Sequence, residues 1–527
     1  MRHTTFLRGL GFAVILTAAG CKSLDITNPN DPDGDRALSD PEALESFVGG
    51  ASQTWFNTFV GTVGGGPLVT QAQTYSSAWN NSNMLFYGSI DGFGTATPNR
   101  NTRGWQNDPN SPARSSIEWY WEGYYRSLGL SNLVLRAIRV EGKEINSPED
   151  TKRAETFAEM IRGISLAGLA LNYDKAYVLN ENSDLGALVY ENRKVVRDSA
   201  IASFDRVIAL ATANVFTTPS GWANGPAYTN VQIAKIANTM AAYTLANWPR
   251  DSVEAIAVDW PRVVTYASAG MSAGPRVDFI INADGDAWYS DMLYWFNGID
   301  GGRVSTRVAA MLDPLTQTHP YPAGGNPQPN SPDRRLGDGS FGNASMVGGF
   351  GTVPRTANAG TDFAWSSQEI FDPARGTYHQ SNIGHIRYDA TGVQGADGAY
   401  GGRGPTYMFS AGQNDLLWAE GLLRQPANPN PNLAATLINN TRVTRGGLSA
   451  ALGSESRTEL LAKWSYEMEI EVLGLGAASY YHRRRAGGGL LPGTPREMPV
   501  PAKELGVFGQ ALYSFGGLGA ANSPTPP

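Results

Sequence analysis

Two stretches, Gly61–Ala113 and Ser272–Met408, carry neither a helical nor a strand period, and strongly helical sequence flanks each of them. Loops of that length inside an otherwise patterned chain must be held by a scaffold, and they commonly carry function. The scaffold signal begins at Ser39-Asp40-Pro41-Glu42, a capping residue before a first-turn proline. It continues with Leu44, Phe47, Val48, Ala51, Trp55 and Phe59 at spacings of three and four. The pattern predicts further helices over 116–138, 148–178, 196–213, 230–245, 251–271, 413–423, 433–445 and 454–473. In the second of these, Phe157, Ile161, Ile164, Gly168 and Leu171 form one stripe, and Gly163, Ala167 and Ala170 leave room for a partner helix to approach closely. Helices in succession with short connections and no intervening strand pattern predict a mainly α fold of stacked helical hairpins, with a large irregular half laid on it.

The N-terminus sets the compartment. Arg2 and Arg8 precede an apolar run from Leu10 to Ala19, shorter than the roughly 20 residues a bilayer requires. It reads as a secretory leader over 1–20. It ends in Ala18-Ala19-Gly20-Cys21, which resembles a bacterial lipobox, so Cys21 is the expected lipidation site. Cys21 is the sole cysteine, which excludes disulfides and cysteine-based metal sites. Residues 21–37 read as a tether and 38–527 as one domain. Its helical scaffold covers about 38–271 and 410–475, its irregular insert about 272–409, and its Pro/Gly-rich tail 476–527. Lys22 after the cysteine favours the outer membrane over inner-membrane retention. Losing Arg2 and Arg8 with the leader takes the net charge from −7 to about −9, which disfavours nucleic acid as a partner.

The irregular stretches are rich in rings. Tyr75, Trp79, Asn80 and Asn81 form one cluster, and Trp288, Tyr289, Tyr294 and Trp295 a second. Tyr and Trp supply rigid stacking faces for sugar rings, and Asn supplies hydrogen bonds to hydroxyls. Packing of loops onto the scaffold would use the same residues. Catalytic signals are sparse. His319, His379, His385 and His482 have no metal-ligand spacing, and no nucleophile elbow, phosphate loop or dinucleotide fingerprint is present. Asp31, Asp33 and Asp35 are spaced as in a calcium loop, but Gly34 falls at its fourth position and no Glu closes twelve residues. Asp284, Asp286, Glu467, Glu469 and Glu471 leave a lipid-anchored glycoside hydrolase as an alternative, and a purely structural helical-repeat scaffold as another.

The last third carries a family pattern. Asp415-Leu-Leu-Trp-Ala-Glu-Gly-Leu-Leu-Arg424, then Ala434-Ala-Thr-Leu-Ile-Asn-Asn-Thr-Arg-Val-Thr-Arg-Gly-Gly-Leu448, resembles the C-terminal signature of SusD/RagB-like nutrient-binding lipoproteins. Tyr481-His-Arg-Arg-Arg485, the ending Pro492 to Leu505, and the start Cys21-Lys-Ser-Leu-Asp-Ile26 continue it. In Tyr466-Glu-Met-Glu-Ile-Glu471 the acids of the family pattern stand without their basic neighbours. Glu420 and Arg442, on adjacent predicted helices, are placed either to pair or to stay solvated. The resemblance implies four tetratricopeptide-like hairpins in a right-handed superhelix, with no catalytic activity and no cofactor. It also implies a role as substrate-capturing lid of a SusC-like TonB-dependent transporter, with an oligosaccharide or other small-molecule ligand.

Overall fold

The computed structural model describes residues 40–77, 79–88, 103–296, 302–319, 326–340, 356–365, 380–388, 402–427, 429–487 and 489–517. Cys21, the tether, the aspartates 31, 33 and 35, and His379 lie outside them. The first helices are α1 (Pro41–Phe59), α2 (Thr62–Gln71), α3 (Met84–Gly88), α4 (Ser115–Arg139), α5 (Pro148–Asn172), α6 (Arg193–Ala213), α7 (Asn230–Asn247), α8 (Ser252–Ile256) and α9 (Trp260–Ser268). The insert contributes α10 (Asp291–Phe296) and α11 (Thr306–Leu312). Then come α12 (Ala411–Arg424), α13 (Pro431–Arg442), α14 (Arg457–Ile470), α15 (Ala478–Arg485) and α16 (Ala502–Val507). Local chemistry fixes the starts. Asp40 and Ser147 accept backbone N–H groups ahead of first-turn prolines, and Thr229/Gln232 and Ser456/Glu459 form capping boxes.

The scaffold is four successive helix pairs, α4 with α5, α6 with α7, α9 with α12, and α13 with α14, each pair packed on the next, and α1 laid against α4. The irregular segment is an insertion between the two helices of the third pair. Its base is closed by β2 (Phe279–Asp284) and β4 (Arg403–Phe409), antiparallel with Asp284 opposite Arg403. Close approach in the α5 stripe follows the small residues. A Cβ on Gly163 would meet the Phe204 ring of α6 at 2.9 Å, and one on Gly168 would meet the Tyr124 ring of α4 at 2.5 Å. One continuous apolar core runs from Leu44 to Leu505. No helix of the described residues is long and apolar enough to cross a membrane.

Several expectations are corrected. The helix read over 251–271 is two, because Pro261 in the first turn of α9 cannot supply an N–H to a continuous helix. The helix read to Val178 ends at Asn172. Arg250 there donates to the carbonyls of Ala170 and Tyr173 at 2.9 and 3.0 Å, and Arg484 to that of Leu171 at 2.8 Å. These buried arginines satisfy groups that a helix end leaves orphaned. Within Gly61–Ala113, read as lacking helix, Thr-Val-Gly-Gly-Gly-Pro forms the first turns of α2. Its glycines admit the Tyr120 ring and Met84 at distances a Cβ would block. Glu420 pairs with Arg485 and Arg424, not with Arg442, which instead donates to the Ser449 carbonyl at 2.7 Å and lies 3.6 Å from Glu467.

The Pro/Gly-rich tail is part of the body. Trp105 Nε1 donates to the Glu497 carbonyl at 2.9 Å, and Asn107 Nδ2 donates to those of Val500 and Tyr513 at 2.9 Å each. Residues 497–513 thus close over residues that precede α4.

Candidate functional site

The two ring clusters read in the sequence are brought together. The first arm leaves α2 through β1 (Tyr75–Ser76) and enters a short turn, Asn81–Asn83, then α3. The second is the loop after β2 and the helix α10. Antiparallel pairing of β1 with β3 (Arg303–Val304), Tyr75 opposite Val304, returns the chain after α10 to the first arm. Trp79 meets Trp295 edge to face at 5.5 Å, Trp295 meets Tyr294 at 4.8 Å and 84°, and Tyr294 lies 6.1 Å from Tyr289. All four rings are half-buried, and Asn80 and Asn81 beside them are exposed. Asn57 of α1 steadies the second arm, donating to the Ala287 carbonyl at 2.9 Å and accepting from the Tyr289 N–H at 3.2 Å.

Tyr75 and Trp288 take other positions. Tyr75 is 1% exposed, its ring 4.5 Å from Phe296 and its hydroxyl 2.9 Å from His385 Nδ1. Trp288 is buried 5.5 Å from Phe56. Both are core residues with no face to offer a ligand: Tyr75 is held in strand pairing opposite Val304, and the Trp288 ring packs on Phe56.

Asp291 escaped the sequence reading. Its Oδ2 accepts from the Thr62 backbone N–H at 3.1 Å and from the Thr62 hydroxyl at 2.9 Å. A carboxylate thereby caps α2, whose own N-cap, Gly61, has no side chain to do so. Burial raises the Asp291 carboxyl above the usual range, while hydrogen bonds from Thr62 and Trp295 draw it back down. Its place three and four residues before Tyr294 and Trp295 was the available signal.

The glutamates weighed for catalysis are engaged in ion pairs. Glu467 binds Arg335 at 2.9 Å, Glu469 binds Arg307 at 2.7 Å and Arg483 at 3.1 Å, and Glu471 binds Arg445 at 2.9 Å and Arg387 at 3.0 Å. The basic partners missing from the neighbourhood of these acids in sequence arrive from the insert (Arg307, Arg335, Arg387), from the turn after α13 (Arg445) and from α15 (Arg483). Burial would raise the Glu469 carboxyl, but Arg307 and Arg483 hold it down at about 2. Asp284 Oδ1 accepts the N–H groups of Asp286 and Trp288. Burial pushes His385 down to about 3 and His482 to about 4, so both are neutral, and His319 Nδ1 lies 2.8 Å from the Thr306 hydroxyl. Among the described residues no cluster of His, Cys, Asp and Glu could hold a metal ion. A groove of about 640 Å³ at the opposite end of α4 and α5, beside Ile138, Pro148 and Val215, is lined without aromatic residues and so offers no stacking face.

No family model matches the chain, and no curated protein does. Solved structures are similar in fold. A SusD-superfamily protein from Bacteroides thetaiotaomicron VPI-5482 superposes with a TM-score of 0.54 at 12% identity, covering 85% of this chain and 90% of that one. A SusD-like carbohydrate binding protein from Bacteroides fragilis NCTC 9343 gives 0.55 at 13% identity, covering 85% and 86%. A structure with xylogluco-oligosaccharide gives 0.53 at 12% identity, covering 84% and 82%. The chain has the SusD-like fold: helical pairs of the tetratricopeptide type carrying a large irregular half.

Proposed function

We propose that this chain, built on the SusD-like fold, is a non-catalytic glycan-binding lipoprotein that captures oligosaccharide on the rings Trp79, Tyr289, Tyr294 and Trp295, with Asn80 and Asn81 at their edge. The observation that carries the reading is the meeting of Trp79 with Trp295 at 5.5 Å across 216 residues of sequence, both half-buried. Two perpendicular rings make a corner that fits the apolar face of a sugar while leaving its hydroxyls to polar neighbours. Engagement of Glu467, Glu469 and Glu471 in buried ion pairs supports binding without hydrolysis. Cys21 would carry the lipid that holds the body at the outer membrane, beside a SusC-like TonB-dependent transporter whose substrate it retains as a lid.

Titration of the purified soluble domain with a panel of glucan, xylan and mannan oligosaccharides tests the binding role. Trp79→Ala is expected to weaken the best ligand by about 2 kcal/mol or more with the melting temperature nearly unchanged. Hydrolysis of any panel member, or a large fall in melting temperature with affinity intact, would overturn it. Cys21→Ser is expected to release the full-length protein from the detergent phase, and recovery of a large outer-membrane barrel with the wild type in mild detergent is expected.

A further inference from the structure

The two arms of the ring site are joined beneath their rings by hydroxyls. Thr62 is buried, and its Oγ1 lies 2.9 Å from Asp291 Oδ2 and 2.9 Å from Ser82 Oγ. A hydroxyl has one proton, and that of Thr62 goes to the carboxylate, so Ser82 donates to Thr62. The chain of bonds therefore has one direction, from Ser82 through Thr62 to Asp291. Ser82 stands three residues after Trp79, and Asp291 stands three and four before Tyr294 and Trp295 on the same short helix.

Backbone geometry adds an independent observation. Ser82 and Asn83 are consecutive non-glycine residues with φ of 55° and 59°, in the left-handed region that costs a side chain energy. The turn is held in that state from outside. Asn83 Nδ2 donates to the hydroxyls of Ser115 and Ser116 at 3.0 and 2.9 Å, and Ser82 is held by Thr62. Strain that the surroundings over-determine gathers at ligand clamps.

We infer that Ser82, Thr62 and Asp291 are positioning residues of the ring site: their directed hydrogen bonds set the angle at which Trp79 meets Trp295. In its consequence for ligand the inference rests on the glycan-binding reading, whereas its geometric part stands alone. Thr62→Val tests it, since valine keeps the shape and the backbone N–H to Asp291 but removes both hydroxyl bonds. The first readout is the near-ultraviolet circular dichroism of the tryptophan pair, defined by what Trp79→Phe removes. The second is affinity for the best-bound oligosaccharide of the glucan, xylan and mannan panel.

Thr62→Val is expected to lose most of the pair's dichroism and to bind about tenfold more weakly. Thr62→Ser, which keeps the hydroxyl, should retain both. Ser82→Ala breaks the same chain at its outer link and gives the same outcome should the valine variant fail to fold. Preservation of the pair's dichroism in Thr62→Val and Ser82→Ala would overturn the inference, and so would a Thr62→Ser protein that behaves like the valine variant. A wild type that binds no member of the panel defeats the glycan reading while the dichroism still decides the relay. Binding abolished by Trp79→Phe but untouched in Thr62→Val, with dichroism intact, defeats the relay alone.

Discussion

Arg485 closes on Glu420 through both terminal nitrogens, the Nη2 contact to Oε2 measuring 2.6 Å, with neither side chain open to solvent. Arg424 adds a contact of 2.7 Å from one turn along α12. The pair locks α15 against α12, and both arginines lie over Trp260 and Trp464. Glu420→Ala would leave Arg485 charged and buried, so it is expected to cost about 3–5 kcal/mol in urea unfolding. The double variant Glu420→Met with Arg485→Met should regain most of that. A loss well under 1 kcal/mol for the single variant would show that water reaches Arg485.

Gly168 and Gly129 make opposite predictions on facing helices. A Cβ at Gly168 would lie 2.5 Å from the Tyr124 ring, which itself stacks on Tyr120 at 5.2 Å, so Gly168→Ala is expected to destabilise by about 1–3 kcal/mol. At Gly129, exposed in α4, a Cβ would meet nothing within 4 Å, and Gly129→Ala should stabilise by about 0.5–1 kcal/mol. Paired thermal melts check the sign at each site.

Asp174 ties the end of α5 to the tail by accepting from the Tyr513 hydroxyl at 2.9 Å. Burial pushes its carboxyl from 3.8 up to about 6, against the pull of that hydrogen bond. The folded state therefore holds the proton more tightly than the unfolded state. The stabilisation is fully present below pH 3.8 and is lost as pH rises through about 6. Asp174→Asn removes the titration while still accepting from Tyr513. It should be more stable than wild type at pH 7.5 by up to about 3 kcal/mol and no more stable at pH 3.5. Denaturant unfolding at both pH values checks this, and an equal difference at the two would reject it.

Arg484 is buried and bridges three carbonyls, those of Leu171 at 2.8 Å, Arg496 at 2.9 Å and Asn247 at 2.9 Å. A lysine ammonium cannot span two helix ends with a planar fork. Arg484→Lys is expected to cost about 2–3 kcal/mol and to speed hydrogen exchange around Met498, whose N–H bonds to the Asn172 carbonyl at 2.7 Å.

Most of the helices that the sequence announced are capped from within, as at Asp40, Ser147, Thr229 and Ser456; α4, which starts at Arg114 with no side-chain cap, is marked by its apolar period instead. α2 stayed hidden because its cap, Asp291, comes from 229 residues away and its glycines are favoured by packing rather than propensity. The same limit governs charges. Glu420 takes an arginine 65 residues on as well as its neighbour Arg424, while Arg442 turns to the Ser449 carbonyl and to Glu467. At the ring site composition was enough to mark both arms. Whether a ring is packed, like Tyr75, or half open, like Trp79, is decided by contacts with residues over two hundred positions distant.

The closure of the tail over residues 103–107 bears on how such a chain is made. Trp105 emerges 392 residues ahead of the Glu497 carbonyl it needs. At about 5–20 residues per second, that is an interval of roughly 20 to 80 s. Until then the Trp105 ring N–H and the Asn107 amide lack the carbonyls they meet in the folded chain. Completion of residues 103–107 is therefore a late event of synthesis, set by when residues 497–513 arrive.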